Sequence, residues 1–495
     1  MSFDLRSCLN IIKQKEGELL HLETEVDPDV EISGIYRHVG GGGTIIRPTQ
    51  RGPALICDNI RNFPDTRVLI GLLSTRTRIG YMLGCEPEKL GELYRNAFDK
   101  AIAPVKRDNM VAPCQEIVKY ASDPGFNIFN ILPAPRNTEE DAGPYVTMGM
   151  CYATDPETGE SNITIHRICL QNRDELTMSF GAGRHLDVFR KKAEDAGKPL
   201  PISISIGVDP AIVIASCFQA PKTPRGYDEL CIAGGVRGEA VEMVKCKTID
   251  EYAVANAEFV IEGELLPGVR MREDINTGTG KALPEFTGYE GPAKDGIPVI
   301  KVKAVTYRPN PIIQTCIGCS EEHVNMAGIP MEASVLTMTE LALPGLVHNV
   351  CAHSSGGGKF MAVLQIGKRE PRDQGRERQA ALLAFSSYIE LKHVILVDED
   401  VDPFDSDDVM WALNTRFQAD IDLICIPNVR FHHLEPSSCP EYNVNIRDRG
   451  LACKAIFDCT VPYDQKARFK RAEFVKVDMS KYHFSPAKEN DIFFS

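Results

Sequence analysis

Asn162-Ile163-Thr164-Ile165-His166-Arg167-Ile168-Cys169-Leu170 sets polar against apolar residues at close to period two. That is the pattern of a β-strand with at least one face in a core. Similar stretches surround it: YVTMGM at 145–150, ISISI at 202–206 and FVIEGEL at 259–265. Turn residues separate them, and a helix is expected over 186–196. Strand density of this kind across residues 115–310 predicts a barrel or sandwich-like middle domain.

On the N-terminal side, residues 5–20 read as a helix followed by an acidic segment. Four glycines at 40–43 then break the chain ahead of TIIRPTQRGPALICDNI (44–60), whose alternation and Pro/Gly bounds predict strands. RVLIGLL (67–73) fits a buried strand, and 87–98 a helix with Leu90, Leu93 and Tyr94 on one face. Beyond Glu321 the character becomes α/β. Helices are expected at 338–343, 379–390 and 407–415, with strands at 360–366 and 393–397, giving a partly parallel sheet. The fold class is therefore mixed α+β and α/β, in three regions: an N-terminal α/β region (1–115), a strand-rich domain (116–320) and a C-terminal α/β domain (321–495). The apolar run 211–218 reads as a buried element, and the charged stretch 368–378 as a solvated loop.

The chain has 495 residues and a formal charge of -14, which argues against a nucleic-acid partner needing clustered Lys and Arg. No apolar run approaches the roughly 20 residues of a membrane span, and MSFDLRSCLN lacks the pattern of a secretion signal. A cytoplasmic protein with reduced thiols is expected, its 16 cysteines scattered along the chain. Cys316 and Cys319 have metal or redox spacing, but no second pair completes a zinc site, so they read as small buried hydrophobes beside a glycine turn.

Two sets of residues can carry chemistry. Asn162, His185 and Glu239 come from three separate segments and offer an amide oxygen, an imidazole and a carboxylate. That mixed O/N set suits Mn2+ or Mg2+ better than zinc, although a single histidine at a strand-to-helix turn is more often a structural residue. The second set is Glu285, His323 in SEEH, Lys359 behind three glycines, and His432 in FHH. Its bland reading has the glycines as a flexible turn and Lys359 as a surface charge. GGGK is not a phosphate-binding P-loop, because the glycine spacing and the Lys-Ser/Thr pair are missing. DEDVD at 398–402 lacks the glycine and terminal glutamate of a calcium-binding loop and reads as a strand end turning through Pro403.

Taken in order, NITIHR (162–167), GRH (183–185), GEAV (238–241), VDEDVDP (397–403) and MWALNTR (410–416) resemble the UbiD-type family of reversible decarboxylases along nearly the whole chain. Within that family, the protocatechuate and gallate decarboxylases are most similar. IYRHVG (35–40), GTIIRPT (43–49), EDINT (273–277), PEFTGY (284–289) and SEEH (320–323) carry that likeness. The resemblance implies a split β-barrel-like domain binding prenylated FMN and a C-terminal α/β domain that mediates homo-oligomerisation, as a dimer or hexamer. It implies Asn162, His185 and Glu239 as ligands of a Mn2+ that bridges to the cofactor phosphate, with K+ nearby. Arg167 resembles the active-site arginine, Arg184 a residue near the flavin ring, and Glu285 the acid that protonates the product carbon. His323, Lys359 and His432 resemble residues around the substrate ring and its hydroxyls. Many members carry a second glutamate five residues before the catalytic acid; here that position is Gly280, so a complete Glu-Arg-Glu network is not expected from the alignment.

Loss of CO2 from an aromatic ring needs an electron sink that no side chain provides, so a cofactor is expected to supply it. His323 or His432, with Lys359, would bind or deprotonate a ring hydroxyl, Arg167 would grip the carboxylate, and Glu285 would deliver a proton. The expected substrate is a small hydroxylated aromatic acid, with gallate or 3,4-dihydroxybenzoate preferred. 4-Hydroxybenzoate, vanillate or a heteroaromatic acid are alternatives, as is a non-catalytic flavin-binding subunit of a carboxylase. A separate flavin prenyltransferase would supply the cofactor.

Overall fold

The computed structural model describes residues 3–41 and 52–485. Two residues of the four-glycine run, 42 and 43, and the segment GTIIRPT fall outside the described residues.

The period-two segments form a closed barrel of six strands. In order around it lie Phe259–Met271, Leu200–Ile206, Tyr145–Thr154, Ser161–Asn172, Glu175–Met178 and Ile297–Tyr307, and the last pairs antiparallel with the first. Ile117–Tyr120 adds outside the ring against Ile297–Tyr307. Alternation sends the two faces of these strands into separate cores. Met148, Met150, Tyr152 and Ile163 pack with neighbouring helices in one, whereas Cys151, Ala153, Ile168 and Leu170 join the other. Closure leaves no free edge on these six strands.

A four-stranded sheet lies on the N-terminal side. Leu19–Leu22 pairs parallel with Ala54–Cys57, which runs antiparallel to Arg67–Ile70, and Ile312–Thr315 completes the sheet parallel to Arg67–Ile70. The chain thus returns to this sheet on leaving the barrel. It then enters the helix Glu321–Ala342, capped by the Ser320 hydroxyl, which accepts from the His323 amide. A five-stranded sheet follows in the order Val347–Ala352, Met361–Ile366, His393–Asp398, Leu451–Cys459, Leu423–Arg430. Its three central strands are parallel and its two edge pairings antiparallel, so the partly parallel character read from the sequence holds. Among the described residues no helix is long and apolar enough to cross a membrane.

Several expectations need correction. The first helix covers only Leu5–Ile12, because its buried series Leu5, Cys8, Leu9, Ile12 ends there and Gly17 adopts a positive φ of 76°. The helix expected at 338–343 is the last part of one that begins at Glu321. The stretch 368–378 is a solvated loop only in its middle, where Arg369, Arg372 and Gln374 are exposed, and not at its ends. Lys368 is buried, donates to the Val461 carbonyl and pairs with the equally buried Glu377, already within the helix Arg376–Ser387. Strands Leu423–Arg430 and Leu451–Cys459 were not anticipated.

Candidate functional site

A cavity of about 440 Å3 opens between the barrel and the C-terminal sheet. Asn162, Arg167, Arg184, His185, Glu285, His323, Lys359 and His432 all line it, so eight of the nine residues read from the sequence converge. Glu239 does not. It is exposed just past Gly238, which caps the helix Leu230–Arg237, and it faces a smaller depression beside Phe3, Asp209 and Arg237.

The carboxylate that joins Asn162 and His185 is Glu229, at the opposite end of that helix, roughly 12 Å away along its axis. The Asn162 amide nitrogen donates to Glu229 Oε2 at 2.7 Å and to His185 Nδ1 at 3.0 Å. Its oxygen, Oδ1, is buried without a hydrogen-bond partner. Glu229 is 2% exposed and has no ion-pair partner among the described residues. Burial pushes its pKa well above the ordinary carboxylate value. Burial, with Arg225 and Arg184 nearby, lowers His185, favouring the neutral imidazole that ligates metals. Turning the Asn162 amide end for end would present an oxygen, an imidazole nitrogen and a carboxylate oxygen to one point. A buried carboxyl without a cation, beside an orphaned amide oxygen, fits a site for a hard divalent ion.

In the same cavity Arg167 is held by two carboxylates. Its Nε and Nη2 donate to Glu273 at 3.0 and 3.2 Å, and its Nη1 donates to Glu285. Burial alone would lower the guanidinium pKa, but Glu285 and Glu273 outweigh it and the pKa is raised. Glu273 is itself fixed by the Tyr145 hydroxyl and the Lys294 amide. A Glu-Arg-Glu network therefore exists in spite of Gly280: its second acid is Glu273, twelve residues before Glu285 rather than five.

A second cluster lining the cavity is built on Phe286. Its ring stacks on His323 at 5.3 Å and 7°, meets His432 edge-on at 5.1 Å, and lies 4.7 Å below the Lys359 ammonium. The glycines ahead of Lys359 are not a loose turn. A Cβ on Gly357 would come within 2.6 Å of the Phe286 ring, and one on Gly358 within 2.3 Å of the Val324 carbonyl. Both have positive φ, 62° and 72°, so this close approach requires glycine. Lys359 is accordingly a cavity residue, with Glu390 3.3 Å away.

Both wall histidines are neutral. Burial is the main cause, aided by Lys359, and each is pushed down to about 3. The Leu434 amide donates to His432 Nδ1, which places the proton of the neutral ring on Nε2. His432 therefore presents a donor to the cavity. Cys316 and Cys319 are buried free thiols. Cys316 lines the cavity, and the Cys319 sulfur accepts from Arg37. Asp398 and Asp400, at the strand end, are bound by Arg416.

Sequence reasoning missed Glu229, Glu273, Phe286 and Glu390. The first shows its signal only in hindsight, as an acid immediately ahead of an apolar helix and without a basic neighbour.

Gallate decarboxylase of Lactiplantibacillus plantarum is 49% identical over 483 residues, covering 97% of this chain and 99% of that protein. The chain belongs to the UbiD family. Family models for the three parts of 3-octaprenyl-4-hydroxybenzoate carboxy-lyase match in sequence order: the N-terminal domain over residues 12–97, the Rift-related domain over 105–321 and the C-terminal domain over 324–459. Among solved structures, the apo 3,4-dihydroxybenzoic acid decarboxylase of Enterobacter cloacae superposes with a TM-score of 0.93 at 51% identity, covering 97% of this chain and 98% of that one. The UbiD-class enzyme HmfF of Pelotomaculum thermopropionicum, in complex with FMN, gives 0.85 at 32% identity over 97% and 100% of the two chains. This chain is thus a UbiD-family decarboxylase with the mixed α/β architecture of those structures.

Proposed function

We propose that the chain catalyses the reversible, non-oxidative decarboxylation of a hydroxylated aromatic acid, with gallate or 3,4-dihydroxybenzoate preferred. One juxtaposition carries this reading. A guanidinium beside an acid, Arg167 with Glu285, lines the same cavity as three groups able to hold ring hydroxyls, His323, Lys359 and His432. Similarity to gallate and 3,4-dihydroxybenzoate decarboxylases supports the same substrate class.

Relatives solved with FMN and prenylated FMN support a prenylated flavin here. Asn162, His185 and Glu229 would hold the Mn2+ that anchors it, and Arg184 would lie near its ring. When bound, the cofactor supplies the electron sink for the departing CO2.

The chain's own residues do the rest. Arg167 orients the substrate carboxylate through its planar fork. His432 donates from Nε2 to a ring hydroxyl oxygen. Because Nδ1 accepts from the Leu434 amide, Nε2 carries the proton and cannot take another from the hydroxyl, so its role is hydrogen bonding. The Lys359 ammonium stabilises the substrate bound as its phenolate, the hydroxyl proton having passed to solvent before binding, and the phenolate pushes electrons toward the carboxyl-bearing carbon. Phe286 covers the ring and keeps water from this cluster. Glu285, in hydrogen-bond contact with Arg167, delivers the proton that replaces CO2. The homo-oligomer and the flavin prenyltransferase supplying the cofactor belong to this reading. The protein, produced with such a prenyltransferase and assayed without any other subunit, should exchange labelled CO2 into 3,4-dihydroxybenzoate. Exchange that appears only on adding a second protein would favour the accessory-subunit alternative.

A further inference from the structure

Glu390 belongs to none of the groups assigned above, yet four polar side chains gather on it. It follows the helix Arg376–Ser387, is 6% exposed and lines the cavity. The Arg184 guanidinium lies 3.0 Å from Oε1 and the Lys359 ammonium 3.3 Å from Oε2. His432 Nε2 stands 3.8 Å from Oε1, and the Tyr388 hydroxyl 3.5 Å from Oε2.

Lys359 is a flexible chain with three donors, and without a fixed acceptor its ammonium would sample several directions. Glu390 and the Phe286 face hold it from two sides. The same carboxylate faces the Nε2–H of His432 and reaches Arg184, which immediately precedes His185. A buried carboxylate is costly unless paired, and here the two cations compensate it, leaving a net positive corner where a phenolate would develop.

We propose that Glu390 is a positioning residue: it aims the Lys359 ammonium at the ring hydroxyls of the acid and ties it to the barrel through Arg184. This rests on the hydroxybenzoate reading above, and it assigns the discrimination for ring hydroxyls to a residue that need not touch the ring. Its effect must therefore pass through Lys359.

The test uses Glu390→Gln and Glu390→Asp in the flavin-loaded protein, alone and combined with Lys359→Met. Two quantities are read: kcat/KM for 3,4-dihydroxybenzoate per bound flavin, and the affinity for catechol by calorimetry, which needs no turnover. Glu390→Gln should lower both by at least about tenfold, the scale of one charge-assisted hydrogen bond. Glu390→Asp should recover part of each loss. In the Lys359→Met background, Glu390→Gln should add less than about threefold, because its effect has already been removed.

Wild-type values in Glu390→Gln would overturn the proposal. So would losses that add fully to those of Lys359→Met, or losses that Asp does not recover and that track a fall in melting temperature. If the wild type releases no CO2 from any hydroxybenzoate, the substrate reading fails. The catechol titration still decides the role of Glu390.

Discussion

Replacing Glu273 with Gln tests whether the network seen in the structure stands in for the one that Gly280 interrupts. Glu273 is 1% exposed and takes two guanidinium hydrogen bonds from Arg167, at 3.0 and 3.2 Å, besides the Tyr145 hydroxyl and the Lys294 amide. Glutamine keeps the shape but offers Arg167 one oxygen, and its NH2 opposes a second N–H donor. One charge-assisted bond is lost and one donor is left buried, worth about 3 kcal/mol for removal of a partner from a buried pair when the other acid, Glu285, remains. If Arg167 orients the carboxylate in the transition state, kcat/KM should fall roughly 100-fold. Initial rates of CO2 release per bound flavin measure this, with a denaturant midpoint recorded alongside. Adding Gly280→Glu should not rescue the variant, because Gly280 has a φ of 74° and its amide donates to Asp274. A Glu273→Gln enzyme within about threefold of wild type would refute the reasoning, as would rescue from position 280.

Two further outcomes follow from the site. Glu229→Gln should purify with little Mn2+ and little flavin absorbance, whereas Glu239→Gln should retain both; elemental analysis and a visible spectrum of the two proteins read the difference, and the reverse pattern would restore Glu239. His323 and His432 sit near 3 in the fold against about 6.5 unfolded, so on acidification the unfolded chain takes up protons first and stability falls between pH about 6.5 and 3. Each contributes up to about 1.4 kcal/mol per pH unit in that window. His432→Gln, destabilised at neutral pH, should therefore close on wild type by about that amount per unit below pH 6 in urea unfolding, and a constant gap would place the imidazole in a wet environment.

The barrel was legible because its strands have one face in each of two cores, which imposes alternation that no helix shares; Ile163 and Ile168, on the same strand, fall into different cores. The helix Glu321–Ala342 was hidden by its own burial. Residues on nearly all its sides are covered, so no polar stripe marks its period, and Pro330 lies within it. Arg167, Glu285, His323, Lys359 and His432 could be named from their motifs and do meet in one cavity. Their partners could not be named: Glu273 lies 106 residues from Arg167 and Glu229 lies 67 from Asn162, distances that only the barrel's closure brings to contact. The displacement of Glu239 has a simple cause, since a motif fixes the neighbourhood of a helix but not which end faces the cavity. Lys368 and Glu377 show the converse, two charges in a polar stretch that pairing takes out of solvent.

The most direct measurement is CO2 release from a panel of aromatic acids, using protein produced together with a flavin prenyltransferase. Gallate and 3,4-dihydroxybenzoate should lead it, with 4-hydroxybenzoate and vanillate behind, because His323, Lys359 and His432 can then engage adjacent hydroxyls. Activity confined to cinnamic acids, or none on any hydroxylated benzoate, would contradict that assignment.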